Sequence, residues 1–391
     1  MFRVGAIVIV LLTISAFAAN AAELPSCDSQ PDQALDEPPK SGLEYSGFVD
    51  FGYLFDVNDS TRRPFRSRGT TWHLNEFDVN MMGASVRRKP SSSSRVGAEL
   101  ALHVGKDDAI FAFSATAPNL AGHQWLRHVG LANVSYLAPV DRGLTVQAGI
   151  FTSLIGYDSL YAKDNFNYTR PWGADFTPYL MMGVNASYPL TEKLNATVYV
   201  VNGYWHLANA NKVPSSGAQL SYKATPTLTL KETVLWGPHQ SNTGLEFWRF
   251  LSDTIIEHRT DRLVIAFNSQ FSTEAVDAPA RPRAWWAAAQ LPMRWTIRPT
   301  WSVTVRPEVA WDSVGRWTLA EQTVKAITGT AEYRVPYKWL NAAVRTEYRL
   351  DDSSGPGGGF FEGDPTRSDP GTLKRRQQLL IVGLILTFDS Q

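Results

Sequence analysis

One short segment combines residue types that a hydrolytic site would need. It is the His-Gln-Ser-Asn motif at 239–242, in which the histidine and the serine would share one strand face, so that the imidazole could activate the hydroxyl. Gly237 and Pro238 interrupt any strand just before the motif, because proline cannot donate to a sheet ladder. The motif is therefore predicted to lie in a loop, and we do not expect hydrolysis.

Metal, nucleotide and disulfide chemistry have little support in the sequence. The other histidines show no metal-ligand spacing, and no phosphate loop or dinucleotide fingerprint is present. They are His73, His103, His123, His128, His206 and His258. Cys27 is the only cysteine, which excludes an intrachain disulfide. Because 37 basic residues balance 37 acidic ones, net charge indicates no nucleic-acid partner, and we expect no metal and no cofactor.

Charged residues alternate with apolar ones in several segments. Arg306 and Glu308 lie in one of them, and Arg345, Glu347 and Arg349 lie in another. Successive side chains of a strand point to opposite faces, so each segment has one charged wall and one apolar wall. A dry core could not hold charges this dense, and an apolar wall facing water would cause aggregation. Lipid outside and water inside satisfy both walls.

This alternation predicts an all-β fold, a transmembrane antiparallel up-and-down β-barrel of about sixteen strands. The strands are expected at 43–57, 74–87, 95–105, 126–138, 144–152, 178–188, 194–205, 216–224, 228–237, 246–257, 263–273, 284–297, 301–312, 322–335, 340–351 and 377–388. Three segments alternate weakly (216–224, 246–257 and 322–335), so fourteen strands remain an alternative. Short and long connections take turns along the chain, as expected for periplasmic turns and external loops.

Both ends are typical of an exported barrel. Residues 1–21 have a basic start, an apolar stretch and small residues near their end, which predicts a signal peptide. Residues 22–42 contain four prolines and are predicted to form a flexible periplasmic segment. The barrel is then expected to occupy 43–391, with its last strand ending at Phe388.

The long connection 153–177 carries both signs of charge and many aromatic residues. Connections of this length are uncommon unless they are functional or disordered, and the aromatics argue against disorder. We expect it to fold into or across the pore mouth, with its aspartates facing its own cations or wall arginines such as Arg345. The candidates for a pore constriction are Asp158, Lys163, Asp164, Arg170 and Asp175. The alternative is an external loop with solvated charges.

A second set of charges is predicted to face the lumen from the wall. Its members are Glu76, Asp78, Arg306, Glu308, Arg345, Glu347 and Arg349. These residues either set the selectivity of a water-filled pore or form a salt-bridged ladder that stiffens the wall, and the sequence leaves both interpretations open.

Several stretches resemble the OmpL-like β-barrel porin-2 family. They are NEFDVN at 75–80, YLAPV at 136–140, GLTVQAG at 143–149, NFNYTR at 165–170 and VVNG at 200–203. The similarity extends from about Leu43 to the C-terminus. It implies passive passage of small solutes, and it identifies no functional residues.

We therefore predict an outer-membrane porin of a Gram-negative-type bacterium, which lets small hydrophilic solutes or ions diffuse without a chemical step. Its partners would be outer-membrane lipid and these solutes, with no nucleic acid, and a homo-trimer is left open. Two other classes of protein remain as alternatives. One is a surface adhesin or scaffold barrel with a plugged lumen, and the other is a lipolytic barrel enzyme that uses the 239–242 motif.

Overall fold

A computed structural model describes most of the chain from residue 42 onward. The described residues are 42–58, 64–111, 124–204, 207, 211–240, 243–277, 282–335, 341–361 and 373–389. The predicted signal peptide and nearly all of the predicted segment 22–42 lie outside them and stay predictions. No helix in the described ranges is both long and apolar enough to cross a membrane.

Nineteen strands form in the described part of the chain. They are β1 (Glu44–Asp56), β2 (Phe77–Arg88), β3 (Val96–Val104), β4 (Val129–Ala138), β5 (Leu144–Thr152), β6 (Leu180–Pro189), β7 (Leu194–Val201), β8 (Ser215–Thr225), β9 (Leu228–Pro238), β10 (Trp248–Arg259), β11 (Leu263–Ala275), β12 (Arg283–Gln290), β13 (Met293–Arg298), β14 (Trp301–Asp312), β15 (Gln322–Val335), β16 (Asn341–Ser354), β17 (Phe360–Phe361), β18 (Leu373–Lys374) and β19 (Arg376–Asp389).

Sequential strands pair antiparallel, and β1 pairs with both β2 and β19, which closes the sheet into a barrel. β12 and β13 form a single wall strand, because both pair with β11 and β14. Pro292, between them, has no N–H to donate, which explains the break. β17 and β18 form a small separate hairpin. The wall therefore has sixteen strands, which confirms the prediction and excludes fourteen.

The predicted alternation is present in the wall. On β16, Arg345, Glu347 and Arg349 are buried on the inner face, whereas Tyr348 is exposed on the outer face. The outer wall is largely apolar, and the inner wall of β14 to β16 is mostly polar and charged. This arrangement suits lipid outside the barrel and polar contacts inside it.

The last strand departs from this pattern, because both of its faces are apolar. Leu379, Ile381 and Ile385 point inward and are at most 2% exposed, while Leu380 and Val382 face outward. An apolar strip inside a water-filled lumen would be unfavourable unless other side chains covered it. Something inside the barrel must therefore pack against β19.

Several connections and strand ends differ from the sequence-based prediction. The connection expected at 106–125 begins with a 3-10 helix, Lys106–Phe111, and a second helix, Gln124–His128, occupies the predicted start of the fourth strand. The seventh strand ends at Val201 rather than at residue 205. Side chains from 64–73, 106–111 and 153–177 are buried inside the barrel, so these connections fold inward.

Candidate functional site in the barrel lumen

Residues 153–177, here called the lumen loop, connect β5 to β6 and fill part of the barrel. Their central segment is irregular and lies between two short 3-10 helices, Ala162–Asp164 and Trp172–Phe176. Tyr168 and Arg170 within it are 0% exposed. The loop is therefore an interior element of the barrel.

One wall carboxylate binds the centre of the lumen loop. The backbone amides of Tyr168 and Thr169 donate to the two oxygens of Glu347 at 2.7 and 3.2 Å, and the Thr169 hydroxyl donates to the same group. Glu347 also accepts a hydrogen bond from Thr330 Oγ1 at 2.8 Å. This buried carboxylate therefore provides acceptors for the loop's backbone amides, and the four donors offset the cost of burying its charge.

Wall arginines bind the carbonyl groups of the same segment. Arg306 Nη1 donates to the carbonyl of Thr169 at 2.8 Å, and Arg349 Nη1 donates to that of Arg170 at 3.0 Å. Arg345 Nη1 donates to the carbonyl of Ala162 at 2.6 Å. Acidic side chains thus bind the loop's N–H groups, and arginines bind its C=O groups.

The same wall residues are also paired with one another. Arg349 contacts Asp351 at 2.9 Å and Glu308 at 3.1 Å. Glu308 accepts from the backbone amide of Trp172 at 2.5 Å, and Asp351 accepts from its indole Nε1 at 2.7 Å. Arg306, Glu308, Arg345, Glu347 and Arg349 therefore lie on the inner face of the wall. They form a paired ladder that is covered by the loop.

The Tyr168 ring packs against the wall where two glycines leave space for it. Gly52 and Gly383 are register partners on β1 and β19 and both point inward. A Cβ atom on Gly383 would come within 2.3 Å of the Tyr168 ring, and one on Gly52 would come within 2.8 Å of the ring carbon that bears its hydroxyl. The Tyr168 hydroxyl donates to Asp50 and accepts from Asn80 Nδ2 at 2.7 Å. Tyr168 thus helps to cover the apolar strip on β19.

The expected ion pairs of the lumen loop are only partly correct. Arg170 pairs with Asp107 at 3.1 Å and donates to Thr71 Oγ1 at 2.8 Å, whereas Asp175 pairs with Arg68 at 3.2 Å. These partners belong to the two neighbouring inward connections, not to the loop or to the wall arginines. Burial raises the pKa of the Asp107 carboxyl, and the Arg170 guanidinium opposes that shift. Arg170 and Asp175 are therefore buried anchors between connections.

The other three constriction candidates are partly exposed. Lys163 and Asp164 pair with each other at 2.7 Å, and each side chain is 25% exposed. Asp158 accepts from Gln290 Nε2 at 2.5 Å and contacts neither of the expected cations closely enough to form an ion pair. Arg345, in turn, pairs with Glu332 at 2.7 Å rather than with a loop aspartate. Of the five candidates, Asp158, Lys163 and Asp164 keep some exposed surface.

Glu76 and Asp78 lie away from this ladder. Asp78 is buried on the inner face of β2, but Glu76 precedes that strand and its side chain is 50% exposed at the barrel end. Both contact Lys106 of the first 3-10 helix. Glu76 is therefore not part of the lumen wall.

The inner wall opposite the ladder carries several uncharged polar side chains. Gln147 Nε2 donates to Asn133 at 2.8 Å, and Asn185 Nδ2 donates to Gln147 at 2.9 Å. Gln219 and Asn195 continue this surface on β8 and β7. Some inner side chains here are partly exposed, whereas others, such as Asn133, Asn185 and Thr197, are buried like the ladder. The partly exposed ones are Glu99, Ser135, Gln147, Ser187, Asn195, Gln219 and Lys231.

Sequence reasoning missed the residues that position the lumen loop. Leu379, Ile381 and Ile385 had a detectable signal, since a barrel strand with two apolar faces must be covered on its inner side. Asp107 and Arg68 had none, because their partners are distant in the sequence. In the 239–242 motif, His239 is buried beside Tyr204 and Trp317, whereas the serine and asparagine lie outside the described residues.

Solved structures show the same fold at low sequence identity. OmpT, an outer membrane protein of Vibrio cholerae in a trimer form, has a TM-score of 0.51 at 8% identity, covering 89% of this chain and 99% of its own. The anion-selective porin from Comamonas acidovorans has a TM-score of 0.55 at 10% identity, covering 89% and 99%. Salmonella typhi OmpF in complex with daunomycin has a TM-score of 0.53 at 10% identity, covering 89% and 97%. The fold is that of outer-membrane barrels.

The sequence identifies the family directly. Residues 42–388 match the beta-barrel porin-2, OmpL-like family, and the chain belongs to that family. A comparison with curated proteins finds no match. The protein is an outer-membrane porin for passive diffusion of small hydrophilic solutes.

Replacing Gly383 by alanine should displace the lumen loop. The new methyl group would overlap the Tyr168 ring, and alanine fits the strand backbone, so the effect should arise from this contact alone. We expect a larger single-channel conductance in planar bilayers. Gly329→Ala is the matched control, since a Cβ there has nothing within 4 Å. Equal conductance in both variants would contradict the packing of Tyr168 against this strand.

Proposed function

We propose that solutes pass along the inner face of β3 to β9, beside the lumen loop. The observation that carries this proposal is the asymmetry of the lumen. The ladder on β14 to β16 is buried under the loop, whereas inner side chains such as Gln147, Ser187 and Asn195 are partly exposed. Lys163 and Asp164 provide partly exposed charges on the loop itself. The constriction would then lie between the loop and this polar wall.

We further propose that the preferred solutes are small, polar and uncharged. Amide and hydroxyl groups can donate and accept hydrogen bonds, so they can replace water around hydroxyl-bearing solutes without imposing a charge. The charges that remain partly exposed have both signs, as in Glu99, Lys163, Asp164 and Lys231. Ion selectivity should therefore be weak, and no side chain is assigned a catalytic role.

A second candidate is a surface scaffold whose lumen is plugged. The extent of packing between the lumen loop and the ladder favours it, because Arg306, Glu347 and Arg349 leave no water-accessible surface on that side. The two candidates differ in a measurable property. A scaffold would be impermeable, whereas a porin would pass small sugars.

Permeation of purified protein in liposomes tests the proposal. We expect swelling in small sugars and only weak ion selectivity.

Asp164→Lys should shift the reversal potential in a salt gradient toward anions, most strongly below about 0.1 M salt, where the screening length exceeds about 10 Å. Glu192→Lys, at an exposed turn, is the charge-matched control and should have little effect. If sugars do not enter the liposomes, and if Gly383→Ala carries no current in planar bilayers, the results would instead support a plugged surface scaffold.

We also propose that copies of the chain associate through the outer face of β9 to β11. Glu232 is exposed there and accepts hydrogen bonds from Ser252 and Thr254 at 2.6 and 2.5 Å. Ser269 lies opposite Thr254 on the next strand. The patch is bordered by exposed apolar residues, Leu220, Phe267 and Phe271. A carboxylate facing lipid is costly, so a neighbouring protein surface would be a better environment.

A homo-trimer is the assembly that we propose, since OmpT of the same fold occurs in a trimer form. A photoreactive amino acid at Ser269 should give covalent products between chains in outer membranes. The same amino acid at Leu100 should give none, because β3 lies eight wall strands away, on the opposite side of the barrel. Equal yields at both positions, or no product from Ser269, would contradict this interface.

A further inference from the structure

A positively charged patch lies on the outer face of the barrel, where β15, β16 and β19 reach one end of the wall. Lys325, Asp352 and Arg376 are register partners across these three strands, and Arg375 directly precedes the last of them. Asp351, next to Asp352, is 0% exposed on the inner face, so the alternation of the strand directs Asp352 and its partners outward. Three cations share one carboxylate, so the patch keeps an excess of positive charge.

The carboxylate holds the two arginines but leaves most of their donors unused. Arg375 Nε donates to Asp352 Oδ1 at 2.8 Å, and Arg376 Nε donates to Asp352 Oδ2 at 2.8 Å. The Nη groups of both arginines donate to no group in the described part of the chain, and their side chains are 68% and 69% exposed. Lys325 is also exposed and has no ion-pair partner among the described residues. Two positioned guanidinium groups and one free ammonium group therefore face the surroundings of the wall.

The charged patch borders the apolar belt of the barrel. Tyr348 and Gln378 follow it along the outer face and are hydrogen-bonded to each other at 2.8 Å. Beyond them lie the exposed apolar side chains of Leu380, Val382 and Leu384. Tyrosine is enriched at membrane interfaces, and a charge on the lipid face costs little there but much more at the bilayer midplane. The patch therefore lies at the level of a lipid headgroup layer.

We propose that this patch binds the phosphate groups of a phosphorylated lipid in the outer leaflet of the outer membrane. Long connections such as 153–179 leave this end of the barrel, whereas a turn as short as 226–227 leaves the other, which is the pattern of an external end. Guanidinium groups form parallel hydrogen bonds with phosphate oxygens, and an ammonium group adds a point charge.

A lipid suits this surface better than free phosphate does. Its phosphates would meet the three cations while its acyl chains lie along the apolar outer face of β16 and β19. Inorganic phosphate would gain only the polar part of these contacts, in competition with water and with Asp352. The arrangement of charge beside apolar surface thus favours a ligand with both kinds of group.

Native mass spectrometry of the purified barrel in detergent, with lipid A that carries two phosphates as the probe, tests the proposal. Lys325→Gln removes a cation that has no partner, so the fold should be unaffected. Lipid affinity should fall by about fivefold, the effect of one cation near an anionic membrane surface. Arg375→Gln combined with Arg376→Gln should lower it by about 25-fold. Lys193→Gln, in an exposed turn at the opposite end of the barrel, is the matched control and should leave the affinity unchanged.

Two further probes identify the source of the phosphate. Lipid A without phosphates should bind weakly, and equally to the wild type and to Lys325→Gln, and inorganic phosphate at the same concentration should not displace the phosphorylated lipid. Circular dichroism confirms the barrel in every variant. The proposal is overturned if the folded patch variants bind the phosphorylated lipid as tightly as the wild type does. It is also overturned if lipid without phosphates, or inorganic phosphate alone, binds with the same affinity.

Discussion

The contact of the lumen loop with the inner wall is the interaction on which this structure depends. An irregular segment inside a barrel must find partners for its backbone N–H and C=O groups, because little water reaches it. Glu347 supplies acceptors, and Arg306 and Arg349 supply donors. The same contact buries wall charges that pair with one another and adds further hydrogen bonds to them. Removing the loop would therefore expose both a charged ladder and an apolar strip.

This arrangement also divides the lumen into two chemically different halves. The wall of β14 to β16 binds the loop, and its charged side chains are buried beneath it. The wall of β3 to β9 carries several amides and hydroxyls that are partly exposed, beside others that are buried. Charge density in the sequence is thus a poor guide to the charge that a solute meets. The partly exposed charges of the loop, Lys163 and Asp164, should influence the passage of ions more than the buried wall arginines do.

The wall was predictable because its signal is local. Alternation with a period of two identified all sixteen wall strands, including 322–335, where the pattern was weak. The break within 284–297 was not anticipated, although Pro292 marks it. The glycine pair Gly52 and Gly383 was equally hidden, since each glycine gains its role only from the register between the first and last strands.

The sequence indicated which charged residues lie in the lumen loop, but it did not indicate most of their ion-pair partners. Lys163 and Asp164 are adjacent in the chain, and their contact was expected. Arg170 and Asp175 find partners on separate connections, and only the closed barrel brings those connections together. Lys106 and His73 meet for the same reason, although 33 positions separate them. Spacing within one segment cannot reveal clusters of this kind.

Hydrogen exchange of the folded porin, followed by mass spectrometry, tests the location of the lumen loop most directly. Backbone amides at 167–172 are bound to wall carboxylates or buried, so their exchange should be as slow as that of β16. The exposed turn at 190–193 provides the fast reference. Slow exchange at 167–172 is the result that this account predicts. Exchange as fast as in that turn would contradict it and would place the loop outside the barrel.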